Sequence, residues 1–437
     1  MEARAGFRNC WWRLEAAAAL GYNTSMPPHT APRRFYGWRI VWALALTTTI
    51  SYGILYYGFG VLVKPMEAEL GWSRAQTSGA YSLGLLISGL MAIPVGYWVD
   101  HRGARGLLLL GSLLGSLMLL AWSQVHSLGA LYGVWVGMGL AMALVLYEVA
   151  FTVVAVWFRR WRHRATFVIT MVAGLASTLF VPLETLLVES LGWRSALVVL
   201  ALIFGLLTLP LHAVVRRRPQ DLGQWPDGEP DPGVQLPETS VSARAAFAEA
   251  SFWWLATAFT LLRLTTAAIG AHGVPLLLER GYSPAFTAAA VGSIGLVQLL
   301  GRAFFLPGSQ RWSLYHATLG VMFAQALGSL ALLLVPGSLG VGAFVLLYGM
   351  SNGAGTLARA GLVAELYGSE SYGRINGGIS LVVSLTQSLG PIGAGLLHGV
   401  AGSYDAVLGV LVAASLLAAL CVRQVRLSGQ ALEEAQS

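Results

Sequence analysis

The amino-acid sequence predicts an all-α polytopic membrane protein, with about twelve transmembrane helices in two pseudo-symmetric six-helix halves. Its 437 residues are 56% hydrophobic and only 11% charged, and they include 52 glycines. A soluble globular domain carries about twice that share of charge. Long apolar segments and a weak internal repeat indicate the same fold class.

Apolar segments of about 20 residues, the length that crosses a bilayer as a helix, recur along the whole chain. Inside a bilayer a helix satisfies all of its own backbone hydrogen bonds, so we expect each segment to form one. The segments are 38–63, 77–98, 106–125, 128–156, 165–187, 195–215, 252–278, 288–306, 314–335, 339–357, 375–397 and 406–422.

Two short patterns recur half a chain apart. The run Leu-Gly-Trp-Ser at 70–73 is similar to Arg-Gly-Tyr-Ser at 280–283, and Gly-Trp at 192–193 is similar to Gly-Ser-Tyr at 402–404. A run rich in Pro, Gly and acids separates the copies and is typical of a solvated linker. The predicted units are a cytoplasmic leader 1–34, an N-terminal half 35–215, a linker 216–250, a C-terminal half 251–423 and a tail 424–437.

Basic residues are distributed unequally between the loops on the two sides of the predicted membrane. Most arginines share a side with both termini, whereas only Lys64, Arg74, Arg194 and Arg280 fall on the other side. Positive charge is concentrated in cytoplasmic loops, so we expect a multi-pass protein of the cytoplasmic membrane with both termini in the cytoplasm. The net charge of +7 follows from this asymmetry, and we expect no nucleic-acid partner. Met26 is an alternative start to Met1.

The chain lacks the motifs of several other protein classes. Cys10 and Cys421 are its only cysteines, which excludes a disulfide framework and a paired-cysteine metal site. Lys64 is followed by Pro65, so the phosphate-binding Gly-Lys-Ser/Thr loop of ATP-driven pumps is absent. No His-Glu-x-x-His pair or nucleophile elbow occurs. We expect neither enzyme activity nor a cofactor or metal.

The turn at 96–105 places an acid and two arginines between the second and third apolar segments. It resembles the Gly-x-x-x-Asp-Arg-x-Gly-x-Arg loop of the major facilitator superfamily, a family of secondary transporters, with His101 inserted after the acid. The matching residues, which the resemblance assigns to gating, are Gly96, Asp100, Arg102, Gly103 and Arg105. It implies that Asp100 contacts the start of a neighbouring helix of the same half, while Arg102 and Arg105 hold the halves together on the cytoplasmic side. Alternatively, the loop is a basic loop that only fixes topology.

A second resemblance is narrower. Tyr36-Gly37-Trp38 and Trp157-Phe158-Arg159-Arg160 are similar to the motifs that open the first and fifth helices of monocarboxylate transporters and bacterial oxalate and formate antiporters. Interfacial aromatics beside a cytoplasmic basic cluster explain the same residues. The resemblance implies that Arg302 in helix 8 binds a substrate carboxylate. Gln298 occupies the position of an Asp in the animal members, which moves proton binding to another acid such as Glu148.

Ionisable residues inside the apolar segments are the remaining candidates, because a charge there costs several kcal/mol and usually marks function. Glu148 is the deepest acid of the first half and the expected proton-coupling residue, and Glu184 lies toward the outer end of helix 5. The expected substrate-binding residues are Arg302, Arg359, Arg263, Tyr56, Asn352 and Gln298. For each arginine, a structural ion pair is the alternative.

Helical spacing groups these candidates into faces. In helix 10, Tyr348, Asn352, Gly355 and Arg359 share one face, and in helix 11 Asn376, Ser380, Ser384 and Gln387 form a polar stripe. In helix 4, Gly133, Gly137, Ala141 and Glu148 align, which predicts that Glu148 lies on a small-residue face. We expect these faces to line a central cavity.

The sequence thus predicts a secondary active transporter of a small organic anion similar to a monocarboxylate. It would work as a monomer by alternating access, coupled to protons or to a counter-anion. Two alternatives remain, an exporter of hydrophobic or cationic compounds and a membrane sensor that does not transport. The three candidate arginines of the second half, Arg263, Arg302 and Arg359, favour an anionic substrate over a cationic one.

Overall fold

The computed structural model describes residues 35–228, 241–387 and 389–436, so the leader 1–34 and part of the linker lie outside the described residues. Within them the protein is helical, without a strand. Twelve helices of these described ranges are long and apolar enough to cross a membrane, which confirms the predicted fold class. They are α1 Gly37–Leu70, α2 Gln76–Arg102, α3 Arg105–Ser123, α4 Leu128–Trp157, α5 Arg162–Leu191, α6 Trp193–Val214, α7 Ala250–Glu279, α8 Ala285–Ser309, α9 Leu314–Leu334, α10 Gly337–Tyr367, α11 Tyr372–Ala401 and α12 Tyr404–Val425.

The sequence repeat corresponds to equivalent turns in the two halves. Gly71 before α2 and Gly281 before α8 both have a positive φ, at 70° and 84°, a conformation that glycine adopts without steric cost. Two residues later a serine caps the next helix in each half. Ser73 Oγ accepts the Gln76 N–H at 3.4 Å and Ser283 Oγ accepts the Phe286 N–H at 3.3 Å. Each pattern therefore ends one helix and starts the next.

Several transmembrane helices are interrupted near their middle. In α1, Tyr52–Tyr57 is a π-helical segment, and in α4 Leu146 is extended, with φ −85° and ψ −168°. In α5, the helical hydrogen bonding is disturbed at Gly174 and Leu175. Such interruptions leave backbone groups inside the membrane that other residues must satisfy, and they are frequent at functional sites.

The two halves pack together near one end of the bundle, which we call the basic face. It is defined by the α2–α3 turn, the α4–α5 loop and the start of α11. There α2 and α11 touch through glycines, because a Cβ on Gly96 would overlap the Gly373 carbonyl and one on Gly377 would lie 2.5 Å from the Ala92 carbonyl. Small residues permit this close approach between transmembrane helices.

Toward the other end, the opposite face, the helices pack chiefly within their own half. This holds for Gly58–Leu70 of α1, Ala176–Leu191 of α5 and Leu389–Ala401 of α11. The halves are thus in close contact at the basic face and separate from each other toward the opposite face.

The first part of the linker is bound to the N-terminal half, which corrects the expectation of a solvated segment. Asp227, at a φ of 62°, accepts the backbone N–H groups of Arg159, Arg160 and Trp161 at 2.9, 2.7 and 3.1 Å. Arg217 donates to the His101 carbonyl. A carboxylate satisfies free N–H groups well, so an acid-rich run can dock on a loop. The last helix also differs from its predicted end, because it continues to Gln436.

Candidate functional site

Asp100 is the centre of the contact between the halves at the basic face. Its carboxylate accepts the N–H groups of Gly373 and Arg374 at 3.0 and 3.1 Å and the Arg374 Nε–H at 3.3 Å. These residues lie at the start of α11, in the C-terminal half. The expectation of a partner in the same half is therefore wrong, because the close approach of α2 and α11 puts a helix N-terminus of the other half within reach.

The arginines of the α2–α3 turn do not hold the halves together in this conformation. Arg102 lies over the Trp98 ring at 4.6 Å, and neither it nor Arg105 forms an ion pair across the halves among the described residues. Gly103 has a φ of 82° and packs against Arg217 of the linker. Arg102 and Gly103 thus contact the N-terminal half and the linker, and Arg374 supplies the cation that joins the halves.

The Glu148 side chain connects the two halves near the middle of the predicted membrane. Its Oε1 accepts a hydrogen bond from Arg359 NH2 at 3.2 Å and another from Ser380 Oγ at 3.1 Å. The donors lie on α10 and α11. The Glu148 side chain remains 30% exposed, against 10% for Arg359. A charged contact that is accessible to water can be broken by a proton or by a competing anion.

The predicted small-residue face of α4 does not include Glu148. A Cβ on Gly137 would overlap Met118 of α3, so this face packs inside the N-terminal half. The extended residue Leu146 separates the two helical segments of α4. Helical spacing cannot be carried across such an interruption, and for this reason Glu148 faces the C-terminal half instead.

Arg263 of α7 has neutral partners only. Its NH1 donates to Asn352 Oδ1 at 3.4 Å and its NH2 donates to Thr356 Oγ1 at 2.9 Å. Asn352, Thr356 and Arg359 lie along one face of α10, so this part of the predicted face is present. Among the described residues no carboxylate pairs with Arg263. An arginine without a counter-ion inside a membrane protein can receive an anion.

Arg302 reaches from α8 into the other half. It is only 6% exposed, and its NH1 donates to the Thr170 carbonyl beside the interruption of α5. Its Nε has no hydrogen-bond partner among the described residues. Gln298, one turn away, is half-buried, and its backbone touches Gly353 of α10. Arg302 thus adds a hydrogen bond to a carbonyl that also accepts the Gly174 N–H at 2.9 Å, and among the described residues it too lacks a carboxylate.

Aromatic rings cover the side of the site that the N-terminal half provides. Tyr56 contacts Tyr52 and Tyr57 at ring distances of 5.7 and 5.1 Å, and Tyr52 contacts Tyr147 at 4.7 Å. Sequence reasoning missed Tyr147, although its position beside Glu148 was a usable signal.

The residues between the halves form one site with an excess of positive charge. Arg263, Arg302 and Arg359 lie here, and among the described residues Glu148 is the one carboxylate that any of them contacts, through Arg359. The basic face is closed by α2 and α11, whereas Glu148 and Tyr57 are partly exposed. The contacts between the halves therefore close the site at the basic face and leave it open toward the opposite face. The described residues contain no group of three or more His, Cys, Asp or Glu that could hold a metal.

Comparison with known proteins identifies the family. The model of the Major Facilitator Superfamily matches residues 44–358. The chain belongs to this superfamily. Monocarboxylate transporter 13 from Bos taurus is 27% identical over 389 residues, which cover 85% of each chain. The oxalate:formate antiporter from Oxalobacter formigenes is 28% identical over 246 residues, 56% of this chain and 55% of that protein.

A solved structure shows the same fold at low identity. The superfamily transporter FucP, crystallised in the outward conformation, superposes with a TM-score of 0.68 at 12% identity, over 89% of this chain and 99% of that chain. The protein is therefore a major facilitator superfamily transporter with relatives among the monocarboxylate transporters.

The two motifs that carry the narrower resemblance contact each other in this superfamily member. The Tyr36 and Trp157 rings lie 6.1 Å apart, and the Trp38 and Phe158 rings lie 5.2 Å apart. The Trp157 Nε1–H donates to the Arg216 carbonyl at 3.1 Å. The start of α1, the end of α4 and the start of the linker are thus fastened together at the basic face.

Proposed function

We propose that this protein is a secondary active transporter of a small organic anion similar to a monocarboxylate, coupled to protons and working by alternating access. The observation that carries the proposal is that Arg263 and Arg302 lie between the halves with no carboxylate partner among the described residues. A substrate carboxylate would supply the missing negative charge through parallel hydrogen bonds to a guanidinium. The relatives named as monocarboxylate transporters and as an oxalate:formate antiporter support the substrate class.

Arg263 is the preferred first contact in the conformation described. It is half-buried, and its guanidinium donates hydrogen bonds to two neutral oxygens. A carboxylate readily replaces these oxygens as the acceptor, because a charge-assisted hydrogen bond is stronger than one to a neutral oxygen. Arg302 is more deeply buried and holds the interruption of α5. It contacts the anion once the halves close over the site, with Tyr56, Asn352 and Gln298 completing the lining.

Glu148 provides the proton site. When its carboxylate takes up a proton, the charge that holds Arg359 is neutralised, and Arg359 becomes available to the substrate anion. The bonds from Arg359 and Ser380 join the two halves, so protonation also weakens a contact between them. One proton and one monovalent anion then enter together, and the net charge of the site is unchanged.

The basic face is cytoplasmic in this proposal, in the cytoplasmic membrane, because cytoplasmic loops carry the excess of Arg and Lys. Both termini then lie in the cytoplasm, and the described conformation faces outward. The site is built entirely from one chain, so a monomer is sufficient for transport.

Uptake by purified protein in liposomes tests the substrate class. Radiolabelled formate, lactate and oxalate are compared with a quaternary ammonium cation, in the wild type and in Arg263→Gln and Arg302→Gln. Loss of a charge-assisted hydrogen bond costs about 1.5–3 kcal/mol, so anion affinity falls about 10- to 100-fold in both variants. Arg311→Gln, at an exposed arginine on the basic face, is the matched control and keeps wild-type uptake.

The proposal fails if no anion is taken up, if the cation is taken up instead, or if both variants transport anions as well as the Arg311→Gln control does. Thermal unfolding of each variant shows whether it is folded before its uptake is compared.

A further inference from the structure

A second acid lies inside the membrane region, away from the site between the halves. Glu184 belongs to the outer segment of α5, Ala176–Leu191, and is 0% exposed. Neither carboxyl oxygen has a hydrogen-bond partner among the described residues. Glu148, by contrast, is bonded to two side chains and partly exposed. Enclosure without a partner is therefore the distinguishing property of Glu184.

The carboxyl group is enclosed between α1 and α5. A Cβ on Gly58 would lie 2.8 Å from Glu184 Oε1, and one on Gly53 would overlap the Phe180 ring. The two glycines let the α1 backbone approach α5, with Phe180 one turn before Glu184 on the same side. The acid thus packs against the α1 backbone at Gly58, and the same packing holds the outer segments of both helices against each other.

The titratable groups on the neighbouring elements do not face Glu184. On α1, Glu67 accepts a hydrogen bond from Thr77 at 2.5 Å, Glu69 pairs with Arg194 of α6 at 3.0 Å, and Lys64 is exposed. Glu189 on α5 is exposed as well. The tyrosines of the π-helical segment contact one another, Tyr81 and Tyr147. Among the described residues, no charged group therefore pairs with an ionised Glu184.

An ionised carboxylate buried without a partner costs several kcal/mol, far more than the neutral acid. We infer that Glu184 is a second proton-binding site, occupied in the outward-facing conformation and emptied when the outer segments of α1 and α5 move apart. On that movement water reaches the carboxyl group and takes its proton, which leaves a carboxylate and a hydronium ion.

The elements around Glu184 are suited to such a movement. Its α5 segment begins after the interruption at Gly174 and Leu175, and the facing α1 segment begins at Gly58, directly after the π-helical Tyr52–Tyr57. A ligand that binds one conformation more tightly shifts the population toward it. Here the ligand is the proton, and it favours the outward-facing form. The inference rests on the proposed alternation of conformations and not on the identity of the substrate.

Infrared spectroscopy of the full-length protein in lipid bilayers detects the proton directly. A protonated carboxyl group has a C=O stretching band that shifts in heavy water. We expect that band to be missing from the spectrum of Glu184→Gln and present in Glu189→Gln, the control at an exposed acid on the same helix. Identical carboxyl bands in wild type and Glu184→Gln would overturn the inference, because Glu184 would then be ionised.

A distance measurement links the proton to the conformation. Cys10 and Cys421 are first replaced by Ala. Spin labels are then attached to cysteines introduced by Leu191→Cys and Val400→Cys, which lie at the outer ends of the two halves. The native side chains at these positions are 50% and 90% exposed. We expect raised pH to shorten the distance in the parent protein. Glu184→Gln, which cannot ionise, retains the long distance. An equal pH response in both proteins would contradict the coupling.

Glu184→Leu repeats both measurements if Glu184→Gln does not fold, since leucine is also neutral and fits an apolar enclosure. Neither measurement uses a substrate. If the wild type transports no anion, the proposed substrate is wrong. If Glu184→Gln nevertheless lacks the carboxyl band and the pH response that the wild type shows, this inference still holds.

Discussion

At the residue scale, the site contains more positive charges than negative ones. Glu148 is shared by Arg359 and Ser380, whereas Arg263 and Arg302 hold only neutral oxygens. Removing one partner of a buried charge leaves the other uncompensated and is expensive. An incoming anion and a proton are thus complementary ligands, one for the unpaired arginines and one for the carboxylate.

The substitution Glu148→Gln should separate net transport from exchange. The amide side chain of this variant would still accept hydrogen bonds from Arg359 and Ser380, although weakly, but it cannot take up or release a proton. We expect uptake driven by a pH gradient to be lost, while exchange of labelled for unlabelled anion in preloaded liposomes continues. Glu189→Gln is the matched control. Undiminished pH-driven uptake by Glu148→Gln would mean that another group carries the coupled proton.

At the element scale, interrupted helices and close helix contacts decide which side chains meet. The extended Leu146 turns Glu148 toward the other half, and Arg302 donates to the Thr170 carbonyl, one turn before the interruption of α5. The contact of α2 with α11 places Asp100 at the start of a helix, where its charge is favourable. Each functional contact between the halves therefore depends on local backbone geometry.

Gly96→Ala tests the contact of α2 with α11. The added methyl group would overlap the Gly373 carbonyl, and backbone cannot move aside as a flexible side chain does. We expect loss of the conformation that is closed at the basic face, seen as a shorter distance between labels at Leu191→Cys and Val400→Cys.

Gly106→Ala is the control for that substitution, because nothing lies within 4 Å of a Cβ at Gly106. It should leave the distance unchanged. If Gly96→Ala also leaves the distance unchanged, the close packing of α2 and α11 is not required for the conformation that is closed at the basic face.

At the scale of the whole molecule, the two halves form a superfamily fold that is closed at one end. The linker contributes to this end, because Asp227 binds the loop before α5 and Val241 donates its N–H to the Tyr367 carbonyl at 3.2 Å. The halves can then change their relation about the central site, and within the N-terminal half the packing that changes is that of the outer segments of α1 and α5. The interhalf contacts at Asp100 and Glu148 must be exchanged in that change.

The orientation of the molecule is tested with a membrane-impermeant thiol reagent on intact cells. In a background without Cys10 and Cys421, a cysteine introduced by Leu191→Cys should react from outside. A cysteine introduced by Arg311→Cys, on the basic face, should react only after the membrane is permeabilised. The reverse pattern would show that the basic face is outside and that the described conformation faces inward.

The sequence by itself determined the helices, the repeat and the residue types of the site. Apolar length fixes a transmembrane helix, because the bilayer leaves the backbone no other partner. Gly71 and Ser73 fix a turn through local geometry. The spacing on α10 correctly placed Asn352 and Arg359 on one face, since α10 is continuous between them.

Only the tertiary structure decided which residues meet across the halves. No spacing along one chain segment shows that Asp100 lies against α11 or that Ser380 shares Glu148 with Arg359, because these pairs are more than 200 residues apart. Interruptions such as Leu146 follow from packing and carry no sequence period. Glu184 was visible as an acid in an apolar helix, but its lack of a partner is a property of the packed structure.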